Sequence, residues 1–317
     1  MHAPRHPERP GRGRVAGLIR LGRPTPTLFF VAAALAAIAC RPEPTREPPG
    51  RGAARPKRIV ALAPNLTEIV FALGAGSSLV GVSEHSDFPP EARTIPRVGG
   101  LDVSAEKVAS LSPDLVLATR EGNARGPVSV LENAGLSVVV LPTGSLDAVV
   151  EGIRVAGDAL GRREEADRLA GELLSRRAAV RGHVTGRPRP KTILLVWPDP
   201  PQAAGGGTFL DDVLSEAGGE NLLGNRPGWP VVSAEYLTTA PVEVFVFPAS
   251  AANRPAFERA RASGALSRGA ARRARVIWVD ESALTRPGPR VFDALEDLAR
   301  ALHSKTENGK RETGNEQ

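Results

Sequence analysis

Thiols are nearly absent from this chain of 317 residues, which holds a single cysteine, Cys40. One cysteine closes no intrachain disulfide and leaves no cysteine cluster for zinc. Aromatic residues are scarce at 4%, with one tyrosine and three tryptophans, so each exposed ring counts as a candidate contact. Of five histidines, His2 and His6 fall early, leaving His85, His183 and His303. His183 lies in a charged helical pattern and His303 near the C-terminus, so no protein-built metal cage is expected. Catalytic signatures are also missing: there is no G-x-S-x-G and no H-E-x-x-H. GAGSS at 74–78 ends a helix rather than opening one after a strand. GGG at 205–207 precedes a helix and offers an anion cradle, without the lysine of a phosphate loop. No catalytic residue and no cofactor is implied, and the chain does not read as an enzyme.

The formal charge of +6 invites a nucleic-acid partner. Residues 1–39 contain six arginines against one acid, Glu8, so the remainder carries 35 basic and 34 acidic side chains. The overall excess leaves with that segment, and DNA or RNA binding is not expected. The same segment has the build of an export signal: an arginine-rich head, then the uncharged run LFFVAAALAAIA at 28–39, then Cys40 after small residues. The run falls short of the roughly 20 residues that span a bilayer. Ending on cysteine, it resembles a bacterial lipoprotein signal, in which the thiol of Cys40 is lipidated and becomes the new N-terminus. A plain secretory signal and an uncleaved anchor are the alternatives; Ala37 stands where such signals prefer leucine. Either signal reading places the mature protein outside the cytoplasm.

The pattern divides the chain further. Residues 40–56, rich in Pro, Arg and Glu, read as a flexible tether. From 57 to 144 short apolar runs alternate with helix-spaced segments: RIVAL, LTEIVFAL stopping at Gly74, LVGVS, VSAEKVAS, a strand at 114–119, PVSVLENAG and a strand near 138–141. This is the rhythm of parallel β-α units. Residues 145–186 contain no proline and repeat apolar residues at three and four, with Ser145 as N-cap and Gly161 dividing two helices. From 187 to 303 the β-α rhythm restarts with TILLVW, FLDDVLSEAGG, VEVFVF, RVIWV and the closing helix RVFDALEDLARAL; 304–317 reads as a disordered tail. The expected fold is α/β: two lobes with mainly parallel sheets and flanking helices, joined by a long backbone helix.

Five segments, RIVALAPNLTEIVFALGAG, LVGVSEHSDFPPEA, EKVASLSPDLVLATREGN, GGGTFLDDVLSEAGGENLL and GWPVVSAEYL, occur in an order that resembles the extracytoplasmic substrate-binding proteins of ABC importers. The class is the one whose lobes share a rigid backbone helix, which includes cobalamin, siderophore and haem receptors. The resemblance covers about residues 57–303. It implies ligand capture in the inter-lobe cleft with modest hinge motion, followed by docking on a permease served by a cytoplasmic ATPase, by a monomer held to the cell envelope.

Ligands of open α/β sheets sit beyond the strand carboxyl ends. That rule and the resemblance together nominate His85, Asp87, Leu101, Thr119, Arg120, Trp197, Trp229 and Arg286 as ligand-binding residues. Phe88 reads as core. Trp229 keeps an aromatic place of the cobalamin receptors, whereas His85, Leu101, Thr119 and Ala283 stand where further aromatics are expected. A corrinoid remains the first expectation; a ferric siderophore, haem or another metal chelate is the alternative, with Arg120, Arg125 and Arg286 to meet anionic groups. A structural or enzymatic lipoprotein is the second alternative. Glu106 and Glu235 fall where the class uses one glutamate per lobe to meet permease arginines.

Overall fold

The computed structural model describes residues 55–100, 103–123 and 125–304, within one compact unit, Pro48–Gln317. Cys40, the signal, nearly all of the tether, Leu101 and the tail 305–317 lie outside the described residues, as does the side chain of Arg125.

Strands β1 (Ile59–Ala61), β2 (Leu79–Val82), β3 (Leu115–Thr119) and β4 (Val138–Leu141) form an all-parallel sheet in the order β2-β1-β3-β4. Side chains alternate between its faces, as the two-residue strand period requires. Ile59, Ala61, Leu115 and Leu117 enter one core; Val60, Leu62, Val116 and Ala118 enter another. Both faces are therefore covered, which explains why these strands read as continuous apolar runs. Helix α1 (Pro64–Ala72) packs on the first face, and α2 (Ala105–Ser110) and α3 (Arg125–Asn133) lie on the second.

Two helices cross to the second lobe: α4 (Leu146–Leu160) and α5 (Arg163–Val184). Ser145 caps α4 by accepting from the Ala148 N–H at 3.0 Å. Gly161 ends it at φ +63°, a left-handed turn that glycine adopts without steric cost. Helix α5 has 22 residues and so spans about 33 Å.

The second sheet contains β5 (Lys191–Pro198), β6 (Pro201–Ala203), β7 (Glu220–Asn221), β8 (Val244–Ala249) and β9 (Arg275–Asp280). Its main path is β6-β5-β8-β9; only the β5–β6 hairpin is antiparallel, and β7 joins β5 in parallel. Around it lie α6 (Phe209–Glu216), α7 (Ala234–Thr239), α8 (Asn253–Ala262), α9 (Gly269–Arg273), α10 (Glu281–Thr285) and α11 (Val291–His303). The sequence periodicity did not anticipate β6, β7 or α7–α10, all of six residues or fewer except α8. Among the described residues no helix is long and apolar enough to cross a membrane.

One hydrophobic core runs without a break from the first lobe through α4 and α5 into α6 and α11 of the second; Leu66, Ile153, Leu173, Leu214 and Leu298 all belong to it. Ion pairs reinforce that spine. On α5, Arg176 meets Asp293 and Glu296 of α11, Arg177 meets Asp147 of α4 and Glu216 of α6, and Arg181 also meets Glu216. Burial alone would raise the Glu216 carboxyl, yet the Arg181 and Arg177 guanidinium groups outweigh it and hold it down at about 2. A shared close-packed core leaves little room for independent lobe motion.

A candidate ligand cleft between the lobes

Between the lobes opens a cleft of about 890 Å3. In the first lobe it is lined from the loops after all four strands: Leu62 to Asn65 after β1, Ser83 and His85 after β2, Thr119 and Glu121 to Asn123 at the end of β3 and beyond, Thr143 and Gly144 after β4. The strand order reverses direction between β1 and β3, and at that switch point the loops part to leave a crevice. Asn123 holds its two sides together. Its Oδ1 accepts from the Thr119 N–H at 2.7 Å, and its Nδ2 donates to the Leu62 carbonyl at 3.3 Å.

The loop that presents His85 is fixed from beneath. The fully buried Ser86 hydroxyl bonds Ser83 at 3.0 Å and Thr67 of α1 at 2.9 Å. Arg97 donates to the carbonyls of Ser83 and Ser86 at 3.0 and 2.6 Å. With its neighbours pinned inward, the His85 side chain is left exposed on the cleft wall. Across the cleft floor, the Glu121 carboxylate accepts from the N–H and hydroxyl of Thr143 at 2.9 and 2.6 Å.

The second lobe supplies Val196, Gln202, Gly207 to Leu210, Gly228, Trp229 and Thr285 to Pro287. The position of Trp229 follows from the glycine triplet. Gly205 N–H donates to Gly228 O and Gly206 N–H to Arg226 O, both at 2.8 Å, stitching the 224–229 loop to the start of α6. A Cβ on Gly205 or Gly206 would lie 2.0 Å from a carbonyl oxygen of that loop, so only glycine fits. The anion-cradle expectation for 205–207 fails for the same reason: two of the N–H groups serve the loop, and Gly207 N–H donates to Asp211 at 3.2 Å. What the triplet positions instead is a tryptophan ring, 48% exposed, at the cleft mouth.

A polar contact joins the lobes at one end of the cleft. Glu68 of α1, its side chain 3% exposed, accepts from Arg290 Nε at 3.0 Å and Nη2 at 2.7 Å. Arg286 Nη1 lies 2.5 Å from Asp87 and 3.5 Å from Glu68, and Asn65 Nδ2 donates to the Pro287 carbonyl at 3.1 Å. The Arg286 hydrogen bond holds the Asp87 carboxyl below the usual carboxylate range. Phe88, expected in the core, is 41% exposed and lies under the Arg290 guanidinium at 4.0 Å; cation–π contact holds it at the lobe junction.

Of the residues nominated from sequence, the cleft brings together His85, Thr119, Trp229 and Arg286. Asp87 stands behind Arg286 as its ion partner. Arg120 is exposed and is not among the lining residues. Trp197, also outside the lining, turns its indole N–H onto the Asp199 carbonyl at 2.6 Å within its own hairpin. Leu101 lies outside the described residues. Asn65, Glu121, Asn123 and Gln202 line the cleft without having been nominated; short polar residues beside strand ends carry no distinctive spacing, and only their placement after β1, β3 and β5 marks them. Glu106 and Glu235 are both exposed in the first turn of α2 and α7, each after a serine cap in the repeated tetrapeptide VSAE. Each lies six residues beyond a lining residue, Gly100 in one lobe and Trp229 in the other. Among the described residues no cluster of three histidine, cysteine or acidic side chains is placed to hold a metal ion.

Comparison with known proteins agrees with this architecture. The periplasmic binding protein family model matches residues 59–265. The uncharacterized ABC transporter substrate-binding lipoprotein YvrC of Bacillus subtilis (strain 168) is 30% identical over 258 residues, 79% of this chain and 81% of that protein. The crystal structure of the periplasmic vitamin B12 binding protein BtuF of Vibrio cholerae matches with a TM-score of 0.70 and 27% identity, covering 78% of this chain and 97% of that one. The periplasmic heme-binding protein RhuT from Roseiflexus sp. RS-1, in apo form, gives 0.69 and 29%, covering 78% and 98%. Sequence, fold and cleft lead to one assignment: the chain belongs to the periplasmic binding protein family.

Proposed function

We propose that this chain is the extracytoplasmic substrate-binding lipoprotein of an ABC importer, capturing a corrinoid in its cleft and handing it to a permease. The charge inventory of the cleft carries the choice of ligand. Among the described lining residues the charged groups are one carboxylate, Glu121, and one guanidinium, Arg286, whose Nη1 already serves Asp87 and Glu68. Besides the His85 imidazole, the remaining polar side chains are uncharged donors and acceptors: Asn65, Ser83, Thr119, Asn123, Thr143, Gln202, Thr208 and Thr285. A corrinoid has a rim of neutral amides, which suits paired donors and acceptors. Haem and most ferric siderophores present anionic oxygens, which call for free guanidinium groups. A volume of about 890 Å3 lies at the upper end of small-molecule sites, as a macrocycle needs. Trp229 offers a rigid apolar face to a flat ring. The vitamin B12 binding proteins among the relatives and solved structures support the same ligand class.

His85 favours a second reading, haem, because an imidazole on the cleft wall suits a metal macrocycle with an open axial position, and a heme-binding protein is among the similar structures. Tryptophan fluorescence separates the two. Cobalamin and cobinamide should quench Trp229 saturably, and haem should bind more weakly; no saturable response from either corrinoid overturns the assignment.

Delivery and anchoring complete the proposal. Glu106 and Glu235, one per lobe, meet basic groups on the permease and set its orientation, as exposed charge pairs do. Their double alanine variant should keep ligand affinity and lose uptake. Lipidation of Cys40 tethers the receptor to the envelope, and Cys40→Ala should release a soluble protein that still binds ligand.

A further inference from the structure

The near-neutral charge of the chain after residue 39 conceals a strong segregation. Residues 254–275 contain seven arginines against one acid, Glu258, a net of +6, whereas the rest of the chain after residue 39 holds 28 basic and 33 acidic side chains. Arg254, Arg259 and Arg261 sit on α8, Arg268 stands at the N-cap of α9 and Arg272 and Arg273 on it, while Arg275 opens β9 and donates to the Ala301 and Leu302 carbonyls, leaving six arginines for the face. Arg254, Arg259, Arg268, Arg272 and Arg273 are exposed. Among the described residues none of the seven lies within salt-bridge distance of a carboxylate, although the chain elsewhere pairs nine arginines.

The fold also presses these like charges together. Arg261 Nη2 donates to the Arg272 carbonyl at 3.2 Å, which sets the last turn of α8 against the last turn of α9. The other face of α8 is committed to the core through Ala256, Phe257 and Ala260, so Arg259 and its neighbours are held outward. Arg254 and Arg261 lie along the rings of Trp278 and Phe257, 4.6 and 5.7 Å from the centroids, which stiffens two of the side chains. Repulsion within such a cluster costs stability that paired acids would recover; the segment holds one acid, Glu258, and among the described residues it is within salt-bridge distance of none of these arginines.

We propose that the α8–α9 arginine face is a docking surface for an anionic phospholipid membrane. Guanidinium groups bind phosphate oxygens in a bidentate fashion, and all six cations of the face are arginine rather than lysine. Attraction to an anionic leaflet accumulates with each basic residue near the surface. The tether at 41–56 reaches at most about 55 Å, so a receptor anchored through Cys40 can bring this face to the bilayer that holds it. The surface itself depends on neither the lipid anchor nor the ligand.

The test is co-flotation of the chain beginning at Arg41, which contains the whole compact unit, with vesicles of phosphatidylcholine alone or with 30% phosphatidylglycerol. Without a lipid on the protein, failure here is distinct from failure of the anchor. Binding should require the anionic lipid, and about 0.5 M salt should abolish it. The variant Arg259→Gln/Arg261→Gln/Arg272→Gln/Arg273→Gln should bind on the order of several hundred-fold more weakly, about fivefold per arginine. Arg259→Gln/Arg273→Gln alters only exposed groups, guards against misfolding, and should weaken binding about 25-fold. Arg154→Gln/Arg163→Gln, which removes one half-buried and one exposed arginine from α4 and α5, should leave it unchanged. Equal binding by wild type and the quadruple variant overturns the proposal. So does binding to soluble polyglutamate with none to anionic vesicles, which would assign the face to an acidic protein.

Discussion

Replacing Glu68 by glutamine removes the negative charge on which the polar contact between the lobes rests. The Glu68 side chain is 3% exposed, and its partners Arg290 and Arg286 are 21% and 17% exposed. Removing one member of a buried ion pair costs about 3–5 kcal/mol, because the partner charge stays behind. Two features lower that figure here. The arginines reach some water, and the amide keeps one acceptor, so about 2–3 kcal/mol is expected. For a domain of this size that is about 5–10 °C in melting temperature. The control is Arg154→Ala, whose contacts with Glu151 and Asp167 are 4.0 and 3.8 Å long and whose side chain is 42% exposed; loss of such a pair is worth about 0–1 kcal/mol. Thermal and urea unfolding followed by circular dichroism read both. A Glu68→Gln protein that melts with the Arg154→Ala control refutes the argument that this contact braces the lobes. Because Asn65 and Pro287 line the cleft beside the brace, ligand affinity should fall together with stability.

Acid should act through Glu216. Its folded value of about 2 lies below that of an unfolded glutamate, so the stability it confers is complete above about pH 4.5 and is lost as pH falls toward 2. The loss amounts to at most about 3 kcal/mol. Urea midpoints at pH 7, 5, 4 and 3 should show it, and Glu216→Gln should flatten the profile in that window. At the cleft, Asn123→Ala severs the link between the ends of β1 and β3 and should cost about 1–3 kcal/mol; unchanged unfolding and binding would show that the loops hold each other without it. Trp229→Ala should weaken corrinoid binding at least about 30-fold, the penalty of losing a central aromatic anchor, as read by the fluorescence of Trp197 and Trp278 or by calorimetry.

Much of the architecture is legible in the sequence, because it rests on short-range rules. The runs at 59–61 and 115–119 read as buried strands since both faces of the sheet are covered. Ser145 and Gly161 marked the ends of α4 through capping chemistry that needs only a few residues of context. Strand-end logic placed His85, Thr119 and Trp229 at the ligand side. The contacts that depend on distant partners were not legible. Glu68 and Arg290 are 222 positions apart, and nothing local distinguishes Glu68 from a solvated helix residue. Arg286 looked free to meet an anion, but Asp87, 199 positions away, occupies it. The glycine triplet at 205–207 looked like an anion cradle because its real partner, the 224–229 loop, is invisible to local pattern. Charge segregation on α8 and α9 was hidden by the whole-chain sum.

The proposed ligand of the cleft is a neutral, amide-rimmed macrocycle in preference to an anionic one. Calorimetric titration of the protein with cobalamin and, separately, with haem tests it most directly. Saturable binding of one cobalamin per protein is expected, tighter than haem at the same pH and ionic strength. Haem binding more tightly, or cobalamin producing no saturable heat, would contradict it.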